Sequence, residues 1–125
     1  MKHLNIGLLG FGFMGKTHLW AVKNLPFFYD LPFSADVAAV CASAKDPQKS
    51  EALAKTYGIP RAADEAAILG DPAIDVIDIC TPNPHHFETA KAALRAGKHV
   101  LSEVLPCETM AQAVELIETV EETGL

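Results

Sequence analysis

Short apolar runs alternate with amphipathic stretches along the whole chain. Residues 4–9 (LNIGLL) predict a buried strand running into Gly10, and residues 13–25 predict a helix with Leu19, Val22 and Leu25 near helical spacing. The segment 26–36 (PFFYDLPFSAD) holds two prolines, neither of which suits a helix interior, and is expected to be a loop. Residues 37–43 (VAAVCAS) predict a second strand. Residues 47–57 predict a helix with Pro47 in its first turn and Gly58 as its stop. A short strand near 59–62 and a short helix near 64–69 follow. Residues 74–80 (IDVIDIC) read as a strand buried on both faces near its end. Residues 84–96 read as a helix capped by Asn83 and stopped by Gly97, and 98–102 (KHVLS) as a fifth strand. Thr109 and Gln112 have capping-box spacing at the start of a last helix. Its apolar stripe is Met110, Ala113, Val114, Ile117 and Val120, its wet face Glu115, Glu118, Glu121 and Glu122, and Gly124 its stop.

Five strands alternating with helices predict an α/β fold: a Rossmann-type, doubly wound parallel sheet with right-handed crossovers. Its expected strand order is 3-2-1-4-5. In such sheets ligands sit beyond the carboxyl ends of the strands, where strand order reverses. A length of 125 residues is that of one domain. No apolar stretch is long enough to cross a membrane, and the start MKHLNIGLLG lacks a cleavage site, so the expected location is the cytoplasm. The net charge of -6 lies entirely in the six glutamates after residue 102. Without basic excess the chain offers little to nucleic acid. Cys41, Cys80 and Cys107 are widely spaced, with no CxxC, which argues against a disulfide framework or a metal site.

The first strand runs into GFGFMGKT, which satisfies two phosphate-binding patterns. Gly10, Gly12 and Gly15 fit G-x-G-x-x-G, and Gly10 through Thr17 fit G-x-x-x-x-G-K-[ST]. Both aim backbone N–H groups at phosphate from a helix N-terminus. In the dinucleotide reading Gly10 makes the tight turn, Gly12 admits the pyrophosphate, and Gly15 lets helix approach strand. Phe11, Phe13 and Met14 then point partly into the core or over the cofactor. A P-loop would need those bulky residues in a wide open loop and a magnesium-binding acid at a strand end. Asp78, the nearest, lies within a strand. The dinucleotide reading is therefore preferred, with a P-loop nucleotide hydrolase as the alternative.

Dinucleotide sites normally place an acid at the end of strand two to hold the ribose hydroxyls. Here that strand ends Cys41-Ala42-Ser43-Ala44-Lys45. Ser43 and Lys45 favour NADP over NAD, although Lys45 is equally readable as a solvated loop residue. The fourth strand ends Thr81-Pro82-Asn83-Pro84-His85-His86, where the other half of a dinucleotide would lie. Asn83 and the histidines can hydrogen-bond a ribose or carboxamide.

GFGFMGKTH, IDVIDICTPNPHHFETAKAALRAGKHVLSE and the following helix resemble the Gfo/Idh/MocA oxidoreductase family across essentially the whole chain. The resemblance implies a nucleotide-binding Rossmann domain over 1–125, followed in the family by a sixth strand and a substrate domain. It implies hydride transfer between NAD or NADP and a sugar, polyol or related small molecule. It puts Gly10, Gly12 and Gly15 on the pyrophosphate and Thr81, Pro82, Asn83 and His86 on the nicotinamide side, and it counts Glu103 among the cofactor-binding residues. Family members usually continue with C-E-K-P. Here Glu103 matches, but Val104 stands at the lysine position, so the catalytic group is undefined and these residues alone are expected to be inactive. A non-catalytic dinucleotide-binding or sensor module is thus a second alternative. Residues 98–102 would form a sheet edge, protected at its start by Lys98 and His99. Apolar Val104, Leu105 and Cys107 beside it would favour a homo-oligomer.

Overall fold

The computed structural model describes residues 1–125. Its centre is a parallel five-stranded sheet in the order β3-β2-β1-β4-β5. The strands are β1 (Lys2–Leu9), β2 (Phe33–Cys41), β3 (Arg61–Ala62), β4 (Val76–Ile79) and β5 (His99–Ser102). The helices are α1 (Phe13–Phe28), α2 (Pro47–Tyr57), α3 (Glu65–Leu69), α4 (His86–Arg95) and α5 (Met110–Thr123). Strand order reverses between β1 and β4.

The alternation of β1 and β2, interrupted by an irregularity in β2 that leaves Ala38 unpaired, splits the core into two layers. Leu8, Val37 and Val40 face Phe11, Leu19 and Ala54 under α1 and α2. Leu9, Ala39, Ile77 and Ile79 face Ile68, Ala90 and Ala93 under α3 and α4. The caps follow the sequence. Asp46 and Asp64 accept from the backbones of Lys49 and Ala67, Thr109 and Gln112 form their capping box, and Gly58, Gly97 and Gly124 adopt positive φ after their helices.

Several local expectations change. The helix expected over 13–25 runs on to Phe28 with Pro26 inside its last turn. A proline there forfeits one backbone hydrogen bond, and the Tyr29 N–H resumes the pattern to the Leu25 carbonyl at 3.0 Å. Residues 33–36, expected to be loop, extend β2 because they pair with Lys2 through Asn5 of β1. Asn83 does not cap α4. It lies in a 3₁₀ turn, Asn83–His85, ahead of that helix and makes no side-chain cap bond. On α5 the stripe Met110, Val114 and Ile117 is more than half exposed. The helix packs instead through Leu116 and buried Thr119, and Glu115 pairs with Lys91 of α4 at 2.8 Å. That ion pair and the small Thr119 side chain rotate the apolar stripe outward.

Lys98 does not guard the sheet edge. It is 6 % exposed, and its ammonium donates to the carbonyls of Asp71 at 2.5 Å and Ile74 at 2.7 Å, tying the turn after α3 to the start of β5. No helix is long and apolar enough to cross a membrane.

Candidate functional site

Beyond the carboxyl ends of β1, β2 and β4 lies a cleft of about 720 Å³. Gly10, Phe11, Gly12, Phe13 and Met14 form its floor, Ser43, Ala44 and Lys45 one wall, and Thr81, Pro82 and His85 the other. The structure thus brings three separated sequence segments to the point where strand order reverses.

The glycines have distinct physical roles. Gly10 has φ +88°, and a Cβ there would strike the Cys80 carbonyl. A Cβ on Gly15 would strike the Gly10 carbonyl, so its absence lets α1 start directly against β1. A Cβ on Gly12 would meet no protein atom within 4 Å, so its backbone is open to a ligand at the N-terminus of α1. Phe11 is buried and packs edge-on against Tyr57 at 5.0 Å, whereas Phe13 is 83 % exposed at the mouth. The Thr81 hydroxyl is buried and has no hydrogen-bond partner in the protein. An orphaned buried hydroxyl is costly unless something pairs with it.

At the end of β2 the Ser50 hydroxyl accepts from the N–H groups of Ala42 at 3.0 Å and Ser43 at 3.3 Å, shaping the turn that presents Ser43 and Lys45. The carboxylate lining the cleft is Glu65, at the start of α3, which accepts from the Thr89 hydroxyl at 2.8 Å.

Other candidate residues lie outside the cleft. Asn83 is exposed on the 3₁₀ turn. His86, expected on the nicotinamide side, is fully buried. Its Nδ1 is 2.7 Å from the Leu105 carbonyl and its Nε2 is 2.6 Å from the Thr81 carbonyl, so neither nitrogen is free for a ligand. The histidine facing the cleft is His85. Val104 is 73 % exposed on the segment after β5.

Behind Cys80 lies a network centred on His18, which the sequence did not single out; Glu103, expected among the cofactor-binding residues, belongs to it and does not line the cleft. His18 of α1 places Nδ1 at 2.9 Å from both oxygens of Asp78 and Nε2 at 2.8 Å from Glu103. The Cys80 thiol lies 3.4 Å from the same Nδ1. Burial opposes charge on the ring, but the bonds and charges of Asp78 and Glu103 outweigh it and raise the His18 pKa. Burial also pushes the Asp78 carboxyl up, against the pull of His18. Burial and the adjacent Asp78 charge push the Cys80 thiol far up. The ligand atoms of His18, Asp78 and Cys80 lie within 4.8 Å of one another, and here they are tied to each other by hydrogen bonds. The sequence signal was present in the helical offset of His18 from the glycines and in the acid inside a buried strand.

These details bear on the choice between phosphate motifs. Lys16 lies over the Tyr57 ring at 5.8 Å, Thr17 donates to the Phe13 carbonyl, and Asp78 is sealed against His18. None of the three groups a P-loop needs faces the cleft.

Residues 4–125 match the family model described as "Oxidoreductase family, NAD-binding Rossmann fold", that of Gfo/Idh/MocA. The chain belongs to this family. It is 36% identical over 126 residues to levoglucosan dehydrogenase of Pseudarthrobacter phenanthrenivorans, covering 100% of this chain and 32% of that enzyme. Over 90 residues it is 37% identical to D-glucoside 3-dehydrogenase of Escherichia coli, covering 71% of this chain and 25% of that enzyme. Among solved structures, levoglucosan dehydrogenase in complex with NADH and levoglucosan aligns with a TM-score of 0.90 at 33% identity, covering 97% of this chain and 32% of that one. The chain spans about a third of the length of levoglucosan dehydrogenase.

Proposed function

We propose that the cleft binds a nicotinamide dinucleotide, NADP in preference to NAD, as the cofactor half of an oxidoreductase acting on a sugar, polyol or related small molecule. The observation that carries the reading is the glycine floor at the N-terminus of α1, open above Gly12, in the cleft that Ser43, Lys45 and Thr81 also line. When bound, the dinucleotide supplies a hydride acceptor or donor.

The chain's residues bind and orient it. The N–H groups opening α1 would hold the pyrophosphate, as at other helix N-termini. Ser43 and Lys45, with no acid at the end of β2, suit a 2′-phosphate better than a free hydroxyl pair. Thr81, Pro82 and the exposed ring of His85 line the opposite wall, where the nicotinamide half would lie. The named relatives act on levoglucosan and D-glucosides, which supports a carbohydrate-like substrate. Residues that read the substrate would belong to a further domain of the kind these longer relatives have room for. Val104 offers no hydrogen bond or positive charge where the family usually carries lysine, so the 125 residues alone turn over no sugar.

Fluorescence titration with NADPH and NADH tests the preference. NADPH should bind more tightly, and Ser43→Asp should reverse the order by placing a carboxylate where a ribose diol can use it. Tighter NADH binding by the unaltered protein contradicts the NADP assignment.

A further inference from the structure

Both nitrogens of His18 meet carboxylates. A neutral imidazole carries one N–H, so it can donate to only one of the two. Holding both bonds to ionised Asp78 and Glu103 requires the doubly protonated ring.

The network joins three elements around the cleft. His18 sits on α1, the helix that opens at Gly12. Asp78 lies in β4, two residues before Cys80, which lines the cleft and whose carbonyl packs against Gly10. Glu103 begins the segment after β5, and its N–H donates to the Ile79 carbonyl at 3.0 Å. The facing titratable groups are Asp78 and Cys80 from β4 and Glu103 from the segment after β5. Lys16, on the same helix, lies over Tyr57 instead.

We propose that His18 is a positioning residue for the dinucleotide cleft: its imidazolium locks β4 and Glu103 to α1 and keeps the cluster's net charge low beside an anionic ligand. This rests on the dinucleotide reading above. Removing the ring proton has two effects of the same sign. One carboxylate loses its donor, which frees the Cys80–Thr81 wall or the Glu103 segment. The cluster also gains a negative charge next to the site that takes the pyrophosphate.

The same proton links to stability. The ring's folded-state pKa is raised, so its contribution is complete below its ordinary value near pH 6.5 and is lost as pH rises through the raised one. Asp78, raised by burial from its ordinary value near 3.8, has the same sign over its own, more acidic window. The melting temperature should therefore fall across the His18 window in the unaltered protein and less so in His18→Gln.

The decisive experiment uses NADH, which lacks the titrating 2′-phosphate. Its affinity is measured by calorimetry from pH 6 to 9, alongside ¹⁵N signals of the His18 ring. Affinity should drop about tenfold with rising pH, within the range of coupling between contacting groups. Both ring nitrogens should be protonated at the low end. His18→Gln should bind more weakly at pH 6 and show no inflection. Glu103→Gln, which keeps size and hydrogen bonding, should move the inflection to lower pH and provides the test if His18→Gln fails to fold. An inflection unchanged in either variant, or a singly protonated ring at pH 6, overturns the positioning role while the cofactor reading stands. Absence of binding by both NADH and NADPH at every pH overturns both.

Discussion

Gly10→Val is expected to lower folding stability by about 3 kcal/mol or more and to abolish dinucleotide binding. Two costs combine. At φ +88° a β-branched residue is strained in any surroundings. The new Cβ would also press on the Cys80 carbonyl and lie 2.7 Å from the Thr81 nitrogen. Both are backbone atoms of the β4 end, so neither can swing aside as a flexible side chain would. Gly12→Val provides the contrast. Its φ is −80°, and its Cβ meets no protein atom. Stability should hold to within about 0.5 kcal/mol, as at an ordinary surface position. Binding should nevertheless fall by about a hundredfold or more, because the added side chain fills the approach to the α1 N-terminus. Urea denaturation and dinucleotide titration on both variants separate the effects. Equal destabilisation by the two substitutions would contradict these roles.

His86→Ala is expected to cost about 3 kcal/mol, the second large effect. Removing the ring leaves a cavity in a fully buried position and strips the Thr81 and Leu105 carbonyls of their partner. The loss should loosen the segment carrying Val104 from the β4 end. His85→Ala, an exposed position next in the chain, should change stability by less than about 0.5 kcal/mol. Guanidinium unfolding of the pair checks this, and a mild His86→Ala would show that the two carbonyls find water instead.

The fold was legible because β1, β2 and β4 carry apolar runs bounded by glycine or proline, and because the helix caps use the residues that favour them. The glycine floor and the Ser43–Lys45 and Thr81–Pro82 walls were legible for a related reason. Each is a backbone or loop feature fixed by local sequence at a strand end. What was missed depends on distant partners. Residues 33–36 become strand only because β1 lies beside them. The outward turn of Met110, Val114 and Ile117 depends on Lys91 of α4 meeting Glu115. His86 and His18 lie 19 and 60 residues from partners that decide their roles, Leu105 and Asp78. Adjacent His85 and His86 are chemically identical in the sequence, and only the packing of α4 sends one to the cleft and the other into the interior.

The central claim is that the cleft between Gly10, Ser43 and Thr81 holds a nicotinamide dinucleotide. An amide-resolved NMR titration tests it most directly, comparing NADPH, NADH and magnesium–ATP. Saturable shifts are expected at Gly10, Gly12, Ser43 and Thr81 with the dinucleotides and none of comparable size with magnesium–ATP. Shifts at those amides with magnesium–ATP alone, or dinucleotide shifts confined to residues far from the glycine floor, would contradict it.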